Sequence, residues 1–102
     1  MKKEKIDIFN GEKIEIIEML LKCEDGKLVL LWTIKSGTAV HRLYFQNVSR
    51  LRIGEVSKPL EIHGFEIINH SQNGWEEDSK YEIRDYEDGR VHFFCECFKI
   101  DE

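Results

Sequence analysis

No run of apolar residues in this sequence approaches the roughly 20 needed to cross a bilayer. The first segment, Met1 to Asn10, scatters Ile6, Ile8 and Phe9 among lysines and lacks the apolar centre of a signal peptide. A cytoplasmic protein with no membrane partner is the expectation. Cysteine is sparse and odd in number, with Cys23, Cys95 and Cys97, whereas a small secreted disulfide framework shows a denser, even set. Reduced thiols follow. There is one proline, Pro59, which confines its neighbourhood to a turn or a sheet edge. No low-complexity tract or solenoid-length repeat is present. At 102 residues the chain is sized for a single domain, spanning 1–102.

What is present is a foldable mixture, 41% apolar and 34% charged, with a net charge of −5 that is unevenly spread. Residues 1–51 carry nine Lys/Arg against seven Asp/Glu, and residues 52–102 carry six against thirteen. The acid concentrates between Glu76 and Asp88, where seven carboxylates face only Lys80 and Arg84. Such a stretch repels phosphate backbones, which argues against nucleic acid, and attracts a basic protein.

Four turn signals, Asn10-Gly11, Asp25-Gly26, Ser36-Gly37 and Asp88-Gly89, punctuate apolar or aromatic segments. These are hairpin cues and predict antiparallel β structure. Folding the chain about Asp25-Gly26 sets Cys23 against Leu28, Leu21 against Leu30, Met19 against Trp32 and Ile17 against Ile34, all on one face. Folding it about Ser36-Gly37 sets Ile34 against Ala39, Trp32 against His41, Leu30 against Leu43 and Leu28 against Phe45. A three-stranded meander from about Ile17 to Phe45 results. A helix over residues 12–24 competes, because Ile14, Ile17 and Leu21 also fall at helical spacing.

Near the C-terminus, a three-residue loop of Glu87, Asp88 and Gly89 sets Val91 against Asp85, Phe93 against Ile83 and Cys95 against Tyr81. A final strand from Arg90 to Ile100 carries Phe94, Phe98 and Ile100 on its second face, which predicts a central strand or one covered by another copy in a homo-oligomer. The fold expected is all-β: a single small antiparallel sandwich or partly open barrel of about seven to eight strands. Its core is Met19, Leu21, Leu28, Leu30, Trp32, Leu43, Phe45, Ile53, Ile62, Ile67, Ile83, Phe93 and Cys95.

Chemistry-bearing motifs are scarce. Cys95 and Cys97 resemble half of a metal or redox motif, but a structural zinc site needs four ligands, and two residues apart on a strand both are expected to pack inward. His41, His63, His70 and His92 accompany no nucleophile signature, and His41 reads as a core or rim residue with its ring nitrogens satisfied. The acidic stretch lacks the calcium-loop pattern, and Asp85 with Glu87 could serve glycoside hydrolysis only given a sugar cleft. No catalytic residue, metal or cofactor is assigned. The acidic stretch does interleave aromatics, and Trp75, Glu76, Glu77, Asp78, Tyr81, Asp85 and Tyr86 together have the composition of a protein-binding patch for a basic partner.

The pattern HRLYFQNVSRLRI, then PLEIHGFEI, then YEIRDYEDGRVHFFCECFKI, over residues 41–100, resembles small β-rich proteins of low-GC bacteria, some of which are similar to immunity proteins of polymorphic toxin systems. That resemblance implies a small acidic protein that binds and blocks one cognate toxin, often a basic nuclease, without catalysis of its own.

Overall fold

The computed structural model describes residues 4–6, 9, 12–54, 60–70 and 79–101. Ten strands occur among them: β1 Glu4–Ile6, β2 Ile14–Glu24, β3 Lys27–Ser36, β4 Ala39–Gln46, β5 Ser49–Ile53, β6 Glu61–Ile62, β7 Phe65–Asn69, β8 Tyr81–Asp85, β9 Val91–Cys95 and β10 Cys97–Asp101. There is no α-helix among the described residues, so residues 14–24 are strand rather than helix. The strands form two five-stranded antiparallel sheets, ordered β1-β7-β8-β9-β5 and β10-β4-β3-β2-β6. We call them the first and second sheet.

The meander of the second sheet is built from tight turns. The β2–β3 register is the one the Asp25-Gly26 turn dictates, with Met19 opposite Trp32, Leu21 opposite Leu30 and Cys23 opposite Leu28. It holds as far as Glu18, where a bulge intervenes, so that Ile16, and not Ile17, lies opposite Ile34. The extra residue turns Ile17 outward, because a bulge lets two residues of one strand face one of its neighbour. The second turn lies one residue later than expected, on Gly37 and Thr38, with Ser36 opposite Ala39. Gly37 takes the positive φ, +61°, at the first central position, the place a two-residue turn of this hand reserves for glycine. Trp32 therefore pairs with Leu43, Leu30 with Phe45 and Ile34 with His41. The displacement is by two residues, an even number, so each side chain stays on its expected face.

The segment expected to be one final strand is two. It breaks at Glu96, leaving β9 in the first sheet and β10 in the second. Beside it, β4 gives way to β5 at Asn47 and Val48, in the opposite direction. Because β4 pairs with β10 and β5 with β9, these segments form one two-stranded ribbon bent across both sheets. Glu96 N–H donates to the Gln46 carbonyl at 3.0 Å, and the Asn47 side-chain amide donates to Glu96 Oε1 at 3.1 Å. Asn47 has φ +55°, a left-handed conformation that asparagine tolerates better than most residues.

Between the sheets, Trp32 stands edge-on to Phe45 and Phe93, with ring centroids 5.2 and 5.7 Å away, and reaches Phe65 at 6.1 Å. Phe45 and Phe93 meet at 4.9 Å. Around these rings pack Leu30, Ile34, Leu43, Ile62, Ile67, Ile83 and Cys95, with Ile14, Ile16, Val48 and Val91 closing the periphery. Four members of the expected core depart from it. Met19 and Leu28 are only partly buried, and Leu21 and Ile53 are exposed. Met19 and Leu28 touch the core from its margin, Leu21 lies on the part of β2 beyond the bulge, toward the β2–β3 turn, and Ile53 is the last residue of β5, an edge strand of the first sheet.

The two C-terminal cysteines do not both pack inward, because the break at Glu96 parts them. Cys95 is fully buried, and burial pushes its thiol up to about 12. Cys97 is half-buried and lies 2.7 Å from the Gln46 side-chain carbonyl, to which its thiol donates. His41 also differs from expectation, since its buried Nδ1 has no hydrogen-bond partner while its ring packs on Phe9 at 5.7 Å.

Truncating the residue at the aromatic hub removes packing on several sides, so Trp32→Ala is expected to cost about 3–5 kcal/mol. Leu21→Ala, at an exposed position, is expected to cost under about 1 kcal/mol. Urea unfolding of the two variants measures the contrast.

Candidate functional site

The acidic stretch divides among several environments. Trp75, Glu76, Glu77 and Asp78 lie outside the described residues. The chain is described on either side of them, and His70 N–H donates to the Lys80 carbonyl at 2.6 Å. Tyr81 is half-buried, on the inner face, with its ring edge-on to Phe98 at 5.1 Å. Asp85 is buried, and its carboxylate accepts from the backbone N–H groups of Glu87, Asp88 and Arg90 at 3.2, 3.3 and 3.2 Å. It holds the turn that presents its neighbours and is not itself presented. Tyr86 is 52% exposed, and Glu87 and Asp88 are exposed beside it. The stretch thus reduces, among the described residues, to one outward feature: Tyr86, Glu87 and Asp88 at the β8–β9 turn.

That turn is braced from outside as well. Tyr86 N–H donates to the Gly64 carbonyl at 2.8 Å. A β-carbon at Gly64 would sit 2.9 Å from the Glu87 amide nitrogen and 3.1 Å from the Tyr86 ring. Only glycine lets the β6–β7 connection approach so closely.

The remaining carboxylate of the stretch, Glu82, faces the opposite way. On the outer face of the first sheet it accepts from two histidine rings, with Oε1 2.8 Å from His70 Nε2 and Oε2 2.8 Å from His92 Nε2. Both nitrogens carry the proton, since an ionised carboxylate only accepts. Burial pushes the Glu82 carboxyl up, and the two histidine hydrogen bonds outweigh it, so the group is held below its ordinary value of 4.5. Its neighbours extend a polar layer over the face. Arg84 Nε bonds Glu66 Oε1, Arg50 bonds the Ser79 hydroxyl, and the Arg50 guanidinium lies 4.0 Å above the Phe94 ring. Arg50, Leu51, Arg52, His92 and Phe94 border a depression of about 420 Å³ beside this layer.

The His70–Glu82–His92 group went unnoticed in the sequence, although the signal was available. The register that sets Tyr81 against Cys95 also places Glu82 and His92 on one face, diagonal neighbours on adjacent strands. Carrying the pairing on to β7, where Ile68 opposes Glu82, brings in His70. Chemically, both Glu82 oxygens are occupied by imidazole N–H groups and His70 is buried. In this arrangement the carboxylate ties three strands together. No cluster of three or more metal-ligating side chains with metal-binding geometry occurs among the described residues.

Phe94 is buried and Phe98 is packed on Tyr81, which leaves Ile100 as the exposed apolar residue of the three placed on the final strand. No helix among the described residues is long and apolar enough to cross a membrane. Comparison with protein-family models, with curated proteins and with solved structures finds no match.

Two expectations follow. Gly64→Ala forces backbone apart at the β8–β9 turn, so a loss of about 1–3 kcal/mol is expected in chemical denaturation, with amide chemical-shift changes centred on Tyr86 and Glu87. For Glu82, the folded state favours the charged form, so its contribution to stability is present above the ordinary carboxyl range and is lost as pH falls through its lowered value. Glu82→Gln is expected to destabilise at pH 7 by about 1–3 kcal/mol, and to flatten the fall of melting temperature below about pH 4.5.

Proposed function

We propose that this protein is a non-catalytic protein-binding domain that docks a basic protein through the acidic aromatic turn of the β8–β9 hairpin. The observation that carries this reading is the pinning of Tyr86, Glu87 and Asp88. Asp85 holds the turn from within by three backbone hydrogen bonds, and Gly64 braces it from outside. A half-exposed tyrosine held in this way offers contact area at little conformational cost, and exposed carboxylates beside it steer a cationic partner. Trp75, Glu76, Glu77 and Asp78, which composition groups with this patch, lie outside the described residues, and Tyr81 packs on Phe98 on the inner face. The resemblance to immunity proteins supplies a partner class, a basic toxin that the chain would block in the cytoplasm of a bacterium. Nucleic acid is not the partner in this reading, since the surface has the wrong sign.

The test separates encounter from retention. With the partner captured on the wild-type chain and then purified, Glu87→Lys/Asp88→Lys is expected to slow association several-fold at low salt, the gap closing as salt rises. Tyr86→Ala is expected to speed dissociation by roughly 30-fold, the equivalent of about 2 kcal/mol for a hot-spot aromatic. Unchanged rates for both variants would remove this turn from the interface.

A further inference from the structure

The most unusual surface of the molecule lies on the second sheet, far in sequence from the acidic turn and independent of it. β2 is 11 residues long, yet β6 pairs with its outer edge only at Ile14 and Glu15, and Ile16 N–H is taken by the Leu60 carbonyl at 2.9 Å. From Ile17 to Cys23 no described strand occupies that edge. The same stretch carries Ile17, Leu20 and Leu21, exposed by 55, 51 and 49%. A long, apolar edge that no described strand pairs is what natural sheets usually avoid. We infer that it is an interface, and that its occupant is β2 of a second copy of this chain, paired antiparallel about a two-fold axis at Leu20.

Backbone geometry limits the choices. In the tight Asp25-Gly26 turn, the Glu24 carbonyl and Lys27 amide point at each other, so alternate residues Lys22, Leu20 and Glu18 direct their backbone groups at β3. Cys23, Leu21 and Met19 direct theirs at the open edge. A two-fold pairing that satisfies these groups must match Leu21 with either Met19, itself or Cys23, or with Ile17. Side chains then decide. Matching Leu21 with Met19 of the second copy sets Leu20 against Leu20 on the outer face. It also sets Glu18 against Lys22 twice, once on each side of the axis. The inner face gains Met19 against Leu21 twice, continuing the row that begins at Trp32 and Leu30. Moving the axis to Leu21 instead puts Glu18 against Glu24 twice and buries Leu20 against a lysine. Moving it to Met19 sets Leu20 against glutamate, and moving it to Lys22 opposes two ammonium groups. One register alone matches apolar with apolar and acid with base, and cross-strand pairs of these kinds are the unit of sheet stabilisation.

Lys22 is available for this role, since its present contact is a loose 3.7 Å approach to Glu24, with both side chains nearly half exposed. β10, at the far edge of the same sheet, is a poorer candidate. It is 5 residues long and carries charge at Lys99 and Asp101. Closed two-fold pairing through β2 would join the two second sheets into one continuous sheet, with the acidic turn of each copy left outside the seam.

Sedimentation velocity on the full chain tests this. The wild type is expected to be a dimer at tens of micromolar. Lys22→Glu, which turns both ion pairs into repulsions, is expected to weaken the dimer about tenfold or more. The charge-swapped Glu18→Lys/Lys22→Glu chain is expected to recover to within about threefold of wild type, with circular dichroism confirming that every variant keeps its strands. In a Cys23→Ser background, Leu20→Cys is expected to form an intermolecular disulfide under mild oxidation, because residues meeting at a two-fold of this type have Cα atoms about 4.5 Å apart. Leu21→Cys is not expected to do so. A wild type that stays monomeric at 100 micromolar, a charge swap as weak as Lys22→Glu, or cross-linking by Leu21→Cys in place of Leu20→Cys would each overturn the inference.

Discussion

Asn47 donates to Glu96 at the place where two neighbouring strands leave their sheets in opposite directions, and the rest of the architecture depends on that corner. A small sheet has an apolar face that it cannot cover by itself, and two separate sheets would have to find each other through side chains alone. Here a single ribbon, β4 with β10 and then β5 with β9, belongs to both sheets, so their separation and crossing are set by backbone hydrogen bonds. Trp32, Phe45 and Phe93 then fill a gap whose width is already fixed. The polar atoms at the bend are matched in pairs. Glu96 uses its amide on Gln46 and its carboxylate on Asn47, which is what a strand break inside a domain requires.

The first sheet differs from the second in how it treats its outer face. On the first, a layer of hydrogen-bonded charge covers β7, β8 and β9: Glu82 between two histidines, Arg84 on Glu66 and Arg50 over Phe94. The carboxylates of Glu66 and Glu82, largely removed from water, are tolerable there only because they are paired. Matched as they are, they fix the relative positions of the strands that end in the β8–β9 turn. The acidic turn is therefore a rigid extension of a cross-braced sheet. In the second sheet β2 instead presents Ile17, Leu20 and Leu21, each about half exposed, at an edge that no described strand pairs beyond Ile16.

Much of this was legible in the residues, and the failures have definite causes. Strand identity and facing could be read wherever a turn dipeptide stood between apolar segments, because a period of two leaves only one way to bury a face. The β8–β9 register was recovered to the residue. The β3–β4 turn was misplaced by one position, which shifts pairing by two and is invisible to a polarity match. The bulge at Ile17 and the sheet change at Glu96 have no local signature, being imposed by what the strand must reach next. The candidate site was legible as composition and not as geometry. Asp85 looks like any other acid in the run until its three backbone partners are seen, and Glu82 looks solvated until His70 is brought across from β7.

The two sheets also differ in how soon they can exist. The meander of β2, β3 and β4 closes through turns of two residues, so its pairing is available once the chain has reached Gln46. The first sheet has to wait, since Glu4 pairs with Asn69 and Ser49 with Phe94, and contacts between such distant positions are slow to form. During synthesis, which runs from the N-terminus, the meander emerges from the ribosome with its inner face uncovered as well as its edge. Lys22, between Leu21 and Cys23, and the acids at Glu18 and Glu24 then interrupt what would otherwise be an unbroken apolar strand, in the manner of the gatekeeper charges that restrain aggregation of nascent β segments.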